Sequence, residues 1–218
     1  MTEDRAAALK KIAEEVRTCT RCPLYQGTTN PVPGAGHPDA EIMFIGEGPG
    51  FYEDKQGLPF VGRSGNYLNE LLRIINLDRQ KVFITNVVKH RPPENRDPQP
   101  DEILACKPYL DQQIEIINPA VIVTLGRFSM ARYFPDGKIS RIHGQPKFMG
   151  DPVIAYYPLF HPAAALRNPE LRKAMEADIK RLPDVIAEVQ KRRASTSSNA
   201  DDSSDSNNDG PMQQLSLF

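Results

Sequence analysis

Glu47, Asn86 and His161 stand out in this sequence because each interrupts or closely follows a short run of apolar residues. Their chemistries are complementary. A carboxylate can orient a water or take its proton, a carboxamide can donate and accept at once, and a neutral imidazole can donate to a developing negative charge. Taken singly, Glu47 and Asn86 read as turn or capping residues and His161 as a loop histidine. Delivered together to one place, they read as a site that holds and cleaves a polar substrate.

A second group is Cys19-x-x-Cys22, with Cys106 far downstream. Three cysteines cannot pair off completely, so a disulfide framework is not expected, and the close pair reads as metal ligation.

The elements that must position these residues follow from periodicity. Ile42–Ile45, Val82–Val88, Val121–Leu125 and Val153–Leu159 are β-rich apolar runs. Helical periods lie between and after them, over Arg63–Ile75, Asp101–Ile117, Arg127–Phe134 and Glu170–Gln190. The alternation predicts an α/β fold: three layers, α/β/α, around a central four-stranded parallel sheet. Ligands of open α/β sheets bind at the carboxyl ends of the strands. Glu47, in Gly46-Glu47-Gly48-Pro49-Gly50, follows the first strand, Asn86 ends the second, Gly126 follows the third, and His161-Pro162 follows the fourth.

With 39% hydrophobic and 25% charged residues the chain is expected to be a globular protein, and 218 residues suffice for one well-buried domain plus a tail. No apolar run approaches the roughly 20 residues that span a bilayer, and the charged amphipathic start (MTEDRAAALKKIAEEV) lacks the apolar stretch of a signal peptide. No membrane association, a cytoplasmic location and a monomer are expected. The net charge of -1 is uneven. Four of the 28 acidic residues, Asp201, Asp202, Asp205 and Asp209, lie in a tail without Lys or Arg, so the body has 27 basic against 24 acidic residues. A balance of +3 permits a nucleic-acid partner without demanding one.

The stretches GEGPGFYEDKQGLPFVGRSGNYLNELL, TNVVKHRPPENRDPQPDEILACKPYL and FHPAAALRNPELR occur in that order. Together they closely resemble the type-4, iron–sulfur uracil-DNA glycosylases, from about Cys19 to about Leu182. The resemblance implies excision of uracil from DNA by hydrolysis of its N-glycosidic bond, by a monofunctional enzyme of base excision repair that leaves an abasic site. It places Glu47 and Gly48 in the first catalytic motif, Phe60 on the ring that stacks on extruded uracil, and Asn86 on the reader of the pyrimidine edge. His161 falls on the contact to uracil O2, and Glu53 on a carboxylate that crowds a thymine methyl. Phe51 and Tyr52 depart from the acidic residues often found before it. In the HPAAALRNP segment Leu166 is the expected wedge into the duplex, with core packing as the bland alternative, and Arg167 there and Arg63 in the first stretch are the expected phosphate contacts.

The family holds a [4Fe-4S] cluster with four cysteines. Cys19, Cys22 and Cys106 match three of them, whereas His90 stands where typical members have the fourth, in VVKCRPP. Histidine can replace cysteine on iron, so Cys19, Cys22, His90 and Cys106 are the expected ligands. A three-cysteine cluster and a zinc Cys₃His site remain open. A related subgroup with His at this position traps uracil-DNA covalently through a histidine in an inserted loop; no such basic insertion stands between Pro92 and Cys106, so that behaviour is not expected. His37 and His143 read as loop residues without a partner. A non-catalytic DNA-binding accessory factor of the same fold is the alternative to an enzyme.

The tail is Ser, Asn, Asp and Gly almost throughout, yet ends in Gln214-Leu215-Ser216-Leu217-Phe218. We expect a domain over 1–192, a disordered linker over 193–211 and a docking peptide over 212–218. The peptide resembles those with which bacterial replication and repair proteins bind the DNA sliding clamp. Gln214, Leu215, Leu217 and Phe218 would anchor it, on a linker reaching roughly 20 Å or more.

Overall fold

The computed structural model describes residues 2–201, with side chains through 195. In chain order the elements are α1 (Thr2–Arg17), β1 (Ala35–Gly36), β2 (Ile42–Gly46), α2 (Phe51–Gln56), α3 (Arg63–Ile74) and β3 (Phe83–Asn86). Then come α4 (Pro100–Ile117), β4 (Val121–Leu125), α5 (Arg127–Ala131), α6 (Ile139–Ile142), β5 (Lys147–Met149) and β6 (Ile154–Leu159). The helices α7 (Pro162–Ala165), α8 (Pro169–Lys180) and α9 (Leu182–Asp201) follow.

The sheet order is β1-β3-β2-β4-β6-β5. The four central strands are parallel and are the four apolar runs of the sequence, while β1 and β5 add antiparallel edges. The sheet is therefore six-stranded and mixed rather than four-stranded. Two- and three-residue edge strands are too short to carry a period, which is why they escape a sequence reading.

Alternation along the central strands feeds two cores. Ile42 and Phe44 of β2 face a cluster with Leu68, Leu71 and Leu72 of α3, Met175 and Ile179 of α8, and Leu182 and Val189 of α9. Met43 and Ile45 face the opposite cluster, with Leu110 and Ile117 of α4. Beyond α4, Ile12 and Val16 of α1 pack on Tyr109. Cys22 and Cys106 lie in this second layer.

The start of α4 is legible: Pro100 opens it, and Gln99 and Glu102 form a reciprocal capping box braced by the Arg96–Glu102 ion pair. The expected single helix over Glu170–Gln190 is instead two, broken at Arg181. Pro183 lacks a backbone N–H and would clash with the preceding turn, so it sits in the first turn of a new helix. That helix runs to Asp201, and Arg193 within it is anchored to the body. Its guanidinium donates to the carbonyls of Val153 (2.7 Å) and Pro119 (2.8 Å), just before β6 and β4. Gln214, Leu215, Leu217 and Phe218 lie outside the described residues.

Candidate active site

The chain passes from β2 to β3 on one side and then to β4 on the other, so the order of strands reverses at β2. Crevices form at such reversals. The register aligns the carboxyl ends, with Gly46 opposite Asn86 and Leu125 opposite Leu159. Glu47, Gly126 and His161 lie just past those ends.

Asn86 is 1% exposed, and both its Nδ2 and Oδ1 are buried without a hydrogen-bond partner. A buried amide left unpaired costs on the order of 1–3 kcal/mol per group, so both atoms are available to a ligand that reaches the strand end. The ring of Phe60 lies beside it. A Cβ at Gly46 would fall 2.4 Å from Asn86 Oδ1 and 2.7 Å from the Phe60 ring. Glycine at 46 is therefore a condition for both side chains to reach the strand end.

Phe60 is buried and has φ 52°, a left-handed backbone unfavourable for an aromatic residue. Three residues hold it there. Arg79 donates Nη1 to the Phe60 carbonyl at 2.8 Å and Nη2 to the Pro59 carbonyl. Glu53 Oε1 accepts from the Val61 and Gly62 amides, each at 2.9 Å. Gly65 leaves room, since a Cβ there would lie 1.8 Å from the Phe60 carbonyl oxygen. Glu53 thus braces the loop that carries the ring, a role its position in the sequence did not suggest. Two surface clefts of about 330 and 410 Å³ lie beside Arg79, away from the strand ends.

The His161 ring stands 6.0 Å from Phe60, centroid to centroid, at 35°. Its Nδ1 accepts from the Ala163 amide at 3.2 Å, capping α7. A neutral ring accepting at Nδ1 carries its proton on Nε2. Burial pushes its pKa down to about 4, opposed by the negative charge of Glu53. At neutral pH His161 is an uncharged donor through Nε2–H. The ring packs over Gly126, whose φ of 92° and missing Cβ allow the approach.

Glu47 is half-buried, and its pKa is raised first by burial and then by Asp97, with Arg127 opposing. Asp97 and Arg127 are themselves paired. Its backbone carbonyl accepts from Val88 at 3.1 Å, which ties the turn after β2 to the chain after β3. At Gly48 a Cβ would meet the Val88 side chain at 2.8 Å.

The other expected residues are placed as follows. Arg63, opening α3, and Arg167, after α7, are exposed. Leu166 is half-buried and packs against the core beside α3 and α8, so the bland alternative describes its place in this conformation. Contrary to expectation, His143 has a partner, buried Asp178 at 2.7 Å, and stacks on Phe160. His37 Nδ1 likewise accepts from the Asp39 amide at 3.1 Å.

Two residues went unnoticed in the sequence, Arg79 and Lys89. Lys89 is fully buried, and its Nζ donates to Thr85 Oγ1 (2.6 Å), the Asn86 carbonyl (2.8 Å) and Gln113 Oε1 (2.9 Å). Burial lowers its pKa to about 7, offset in part by Cys106. A lysine closing the apolar run Val87-Val88 was the available signal.

All three cysteines are free. Cys22 and Cys106 are buried and their thiols are pushed up by burial, then pulled back by amides of Leu24 and Lys89 that donate to sulfur. Cys106 also feels Cys22 and Cys19 electrostatically, which puts the three in one neighbourhood. His90 is 3% exposed with its Nδ1 buried and unpartnered. Among the described residues no three His, Cys, Asp or Glu side chains form a group that could hold one metal ion. A cubane differs in this respect, because each ligand binds a separate iron and the four need not converge on a point. Buried thiols with amides aimed at sulfur, and an orphaned imidazole nitrogen, suit such a group.

A profile of the uracil DNA glycosylase superfamily matches residues 33–182, which include all of these site residues except Cys19 and Cys22. The chain is 52% identical to a type-4 uracil-DNA glycosylase of Sulfurisphaera tokodaii, covering 80% of this chain and 83% of that protein. It is 48% identical to one of Saccharolobus solfataricus (82% and 87%) and 46% identical to one of Thermotoga maritima (84% and 96%). The chain therefore belongs to the uracil DNA glycosylase superfamily and, within it, to the type-4 family.

Proposed function

We propose that this chain hydrolyses the N-glycosidic bond of uracil in DNA and leaves an abasic site, as an enzyme of base excision repair. The observation that carries the reading is the Asn86 carboxamide, buried with both polar atoms unpaired beside the Phe60 ring. Uracil presents N3–H and O4 on one edge, and an amide can accept from the first and donate to the second. Phe60 stacks on the extruded base. As the bond breaks, negative charge grows on the base, and the His161 Nε2–H stabilises it at O2. One preorganised donor of this kind is worth about 3 kcal/mol. Donation from a neutral ring needs no proton transfer, which fits a pKa near 4.

Glu47 orients the water that attacks the sugar carbon, and its partly desolvated carboxylate is a better base for that task than an exposed one. Glu53 and Gly48 complete the wall of the base pocket. Arg63 and Arg167 meet phosphates, and Leu166 enters the gap left by the base, which requires it to leave part of its packing. Cys19, Cys22, His90 and Cys106 would hold the [4Fe-4S] cluster, which when bound would tie the segment after α1 to the loop following Lys89 and do no bond chemistry. The division into a glycosylase domain, a linker and a terminal clamp-binding peptide completes the reading, with the protein working as a cytoplasmic monomer.

The experiment is incubation of the purified, iron-replete protein with an oligonucleotide carrying one uracil, followed by alkali. Strand cleavage at the uracil position, absent for thymine, is expected. Intact strands would favour the accessory-factor alternative.

A further inference from the structure

Helix α2 exposes two aromatic side chains that the core does not use. Phe51 is 45% and Tyr52 56% exposed, and their rings meet edge to face, 5.4 Å apart at 82°. Cations attend Phe51, with Lys55 Nζ 4.5 Å and the Arg91 guanidinium carbon 5.3 Å from the ring centre. Among the described residues no cation lies over the Tyr52 ring. The patch is continuous with the candidate base pocket. Tyr52 Cδ2 lies 3.4 Å from where a Cβ on Gly62 would stand, and the next residue, Glu53, holds the Gly62 and Val61 amides beside Phe60.

Large aromatic surface left in water at the rim of a site is unfavourable unless a partner covers it. A fitting partner has a flat apolar face for Tyr52 and negative charge for Lys55 and Arg91. A nucleobase with its phosphate has both. In a duplex the base faces are already stacked on one another, whereas an unpaired strand offers them freely.

We propose that Tyr52, buttressed by Phe51, is a stacking platform for a nucleobase neighbouring the extruded uracil in an unpaired strand, with Lys55 and Arg91 meeting its backbone. The inference rests on the uracil-excision reading for its biological sense, but binding alone tests it. The probe is a fluorescently labelled, uracil-free oligothymidylate of about 15 nucleotides, titrated with full-length protein beside a duplex of equal length. Tyr52→Leu keeps apolar bulk but removes the ring, and should weaken single-strand binding about tenfold, while Tyr52→Phe stays within about twofold of wild type. Duplex affinity should change by less than about twofold in both. Lys55→Gln should reduce the slope of log affinity against log salt on the single strand by about 0.7.

Single-strand binding unaltered in Tyr52→Leu would overturn the proposal, as would an equal loss on single strand and duplex. Melting temperatures of the variants, expected to match wild type because both rings are exposed, guard against a misfolded protein. A wild type that shows this pattern yet releases no uracil would retain the platform and remove the excision reading. Intact excision without the pattern would do the reverse.

Discussion

Replacing Arg79 by alanine should uncouple the Phe60 ring from the site without touching any group that meets the base. Three hydrogen bonds go: to the carbonyls of Phe60 and Pro59, and a weaker one at 3.4 Å to Asn69 Oδ1. A bond from a charged donor contributes about 1.5–3 kcal/mol. Two strong ones give an upper bound of about 6 kcal/mol, but Arg79 borders two open clefts, and water entering them replaces much of that. A net loss of about 2–3 kcal/mol follows, or about 5–10 °C in melting temperature for a chain of this size. The functional loss is set by the ring. Freed from its carbonyl anchors, Phe60 relaxes from φ 52°, and base stacking worth about 1–3 kcal/mol is forfeited wholly or in part. The single-turnover excision rate at subsaturating DNA should fall by about 5- to 150-fold. A double-mutant cycle with Phe60→Ala provides the decisive assay. If Arg79 acts through the ring, Arg79→Ala costs nothing further in the Phe60→Ala background. An equal loss in both backgrounds, or a destabilised single variant with wild-type excision, would refute the argument.

Gly46→Ala should drive Asn86 Oδ1 and the Phe60 ring away from a Cβ only 2.4 and 2.7 Å distant, and excision should fall by about a hundredfold or more, read in the same assay. His161 has a folded pKa near 4, below the 6.5 of an unfolded chain, so the unfolded state takes up the proton first. Its contribution to stability is therefore complete above pH 6.5 and is lost as pH falls toward 4. Melting temperature against pH should show this loss in wild type and a shallower one in His161→Asn. Iron content and visible absorbance should survive His90→Cys and fall in His90→Ala, and equal iron in wild type and His90→Ala would show that His90 is not a ligand. Truncation after Met212 should abolish binding to the cognate sliding clamp in titration while uracil excision persists.

Strand ends made the placement of much of the candidate site visible in the sequence. Glu47, Asn86 and His161 each stand at the close of an apolar run, and parallel strands put all such closures on one edge. Arg79 and Lys89 were hidden for a different reason. Arg79 holds the main-chain carbonyls of Phe60 and Pro59, and a carbonyl leaves no mark in sequence, while Lys89 adds to the Asn86 carbonyl two side chains, Thr85 and Gln113, that only the fold brings to it. The same holds for Glu53, which can be read as a pocket wall from its place in a motif, but whose grip on the Val61 and Gly62 amides exists only once the loop is folded. The break at Arg181 could have been read from Pro183. The anchoring of Arg193 in α9 could not, because its partners are the carbonyls of Val153 and Pro119, just before β6 and β4.

Lys89 belongs to two neighbourhoods at once. Its amide donates to Cys106 Sγ at 3.4 Å, and its ammonium group fastens the carbonyl of Asn86 and the side chains of Thr85 and Gln113. Regions joined through one buried residue in this way are expected to open together rather than separately, because detaching either end leaves a buried polar group without its partner. The cysteine-bearing layer and the end of β3 thus form one cooperative unit of local unfolding. Disorder that starts around Cys106 is thereby expected to reach the Asn86 backbone through the single residue Lys89 while most of the sheet remains folded.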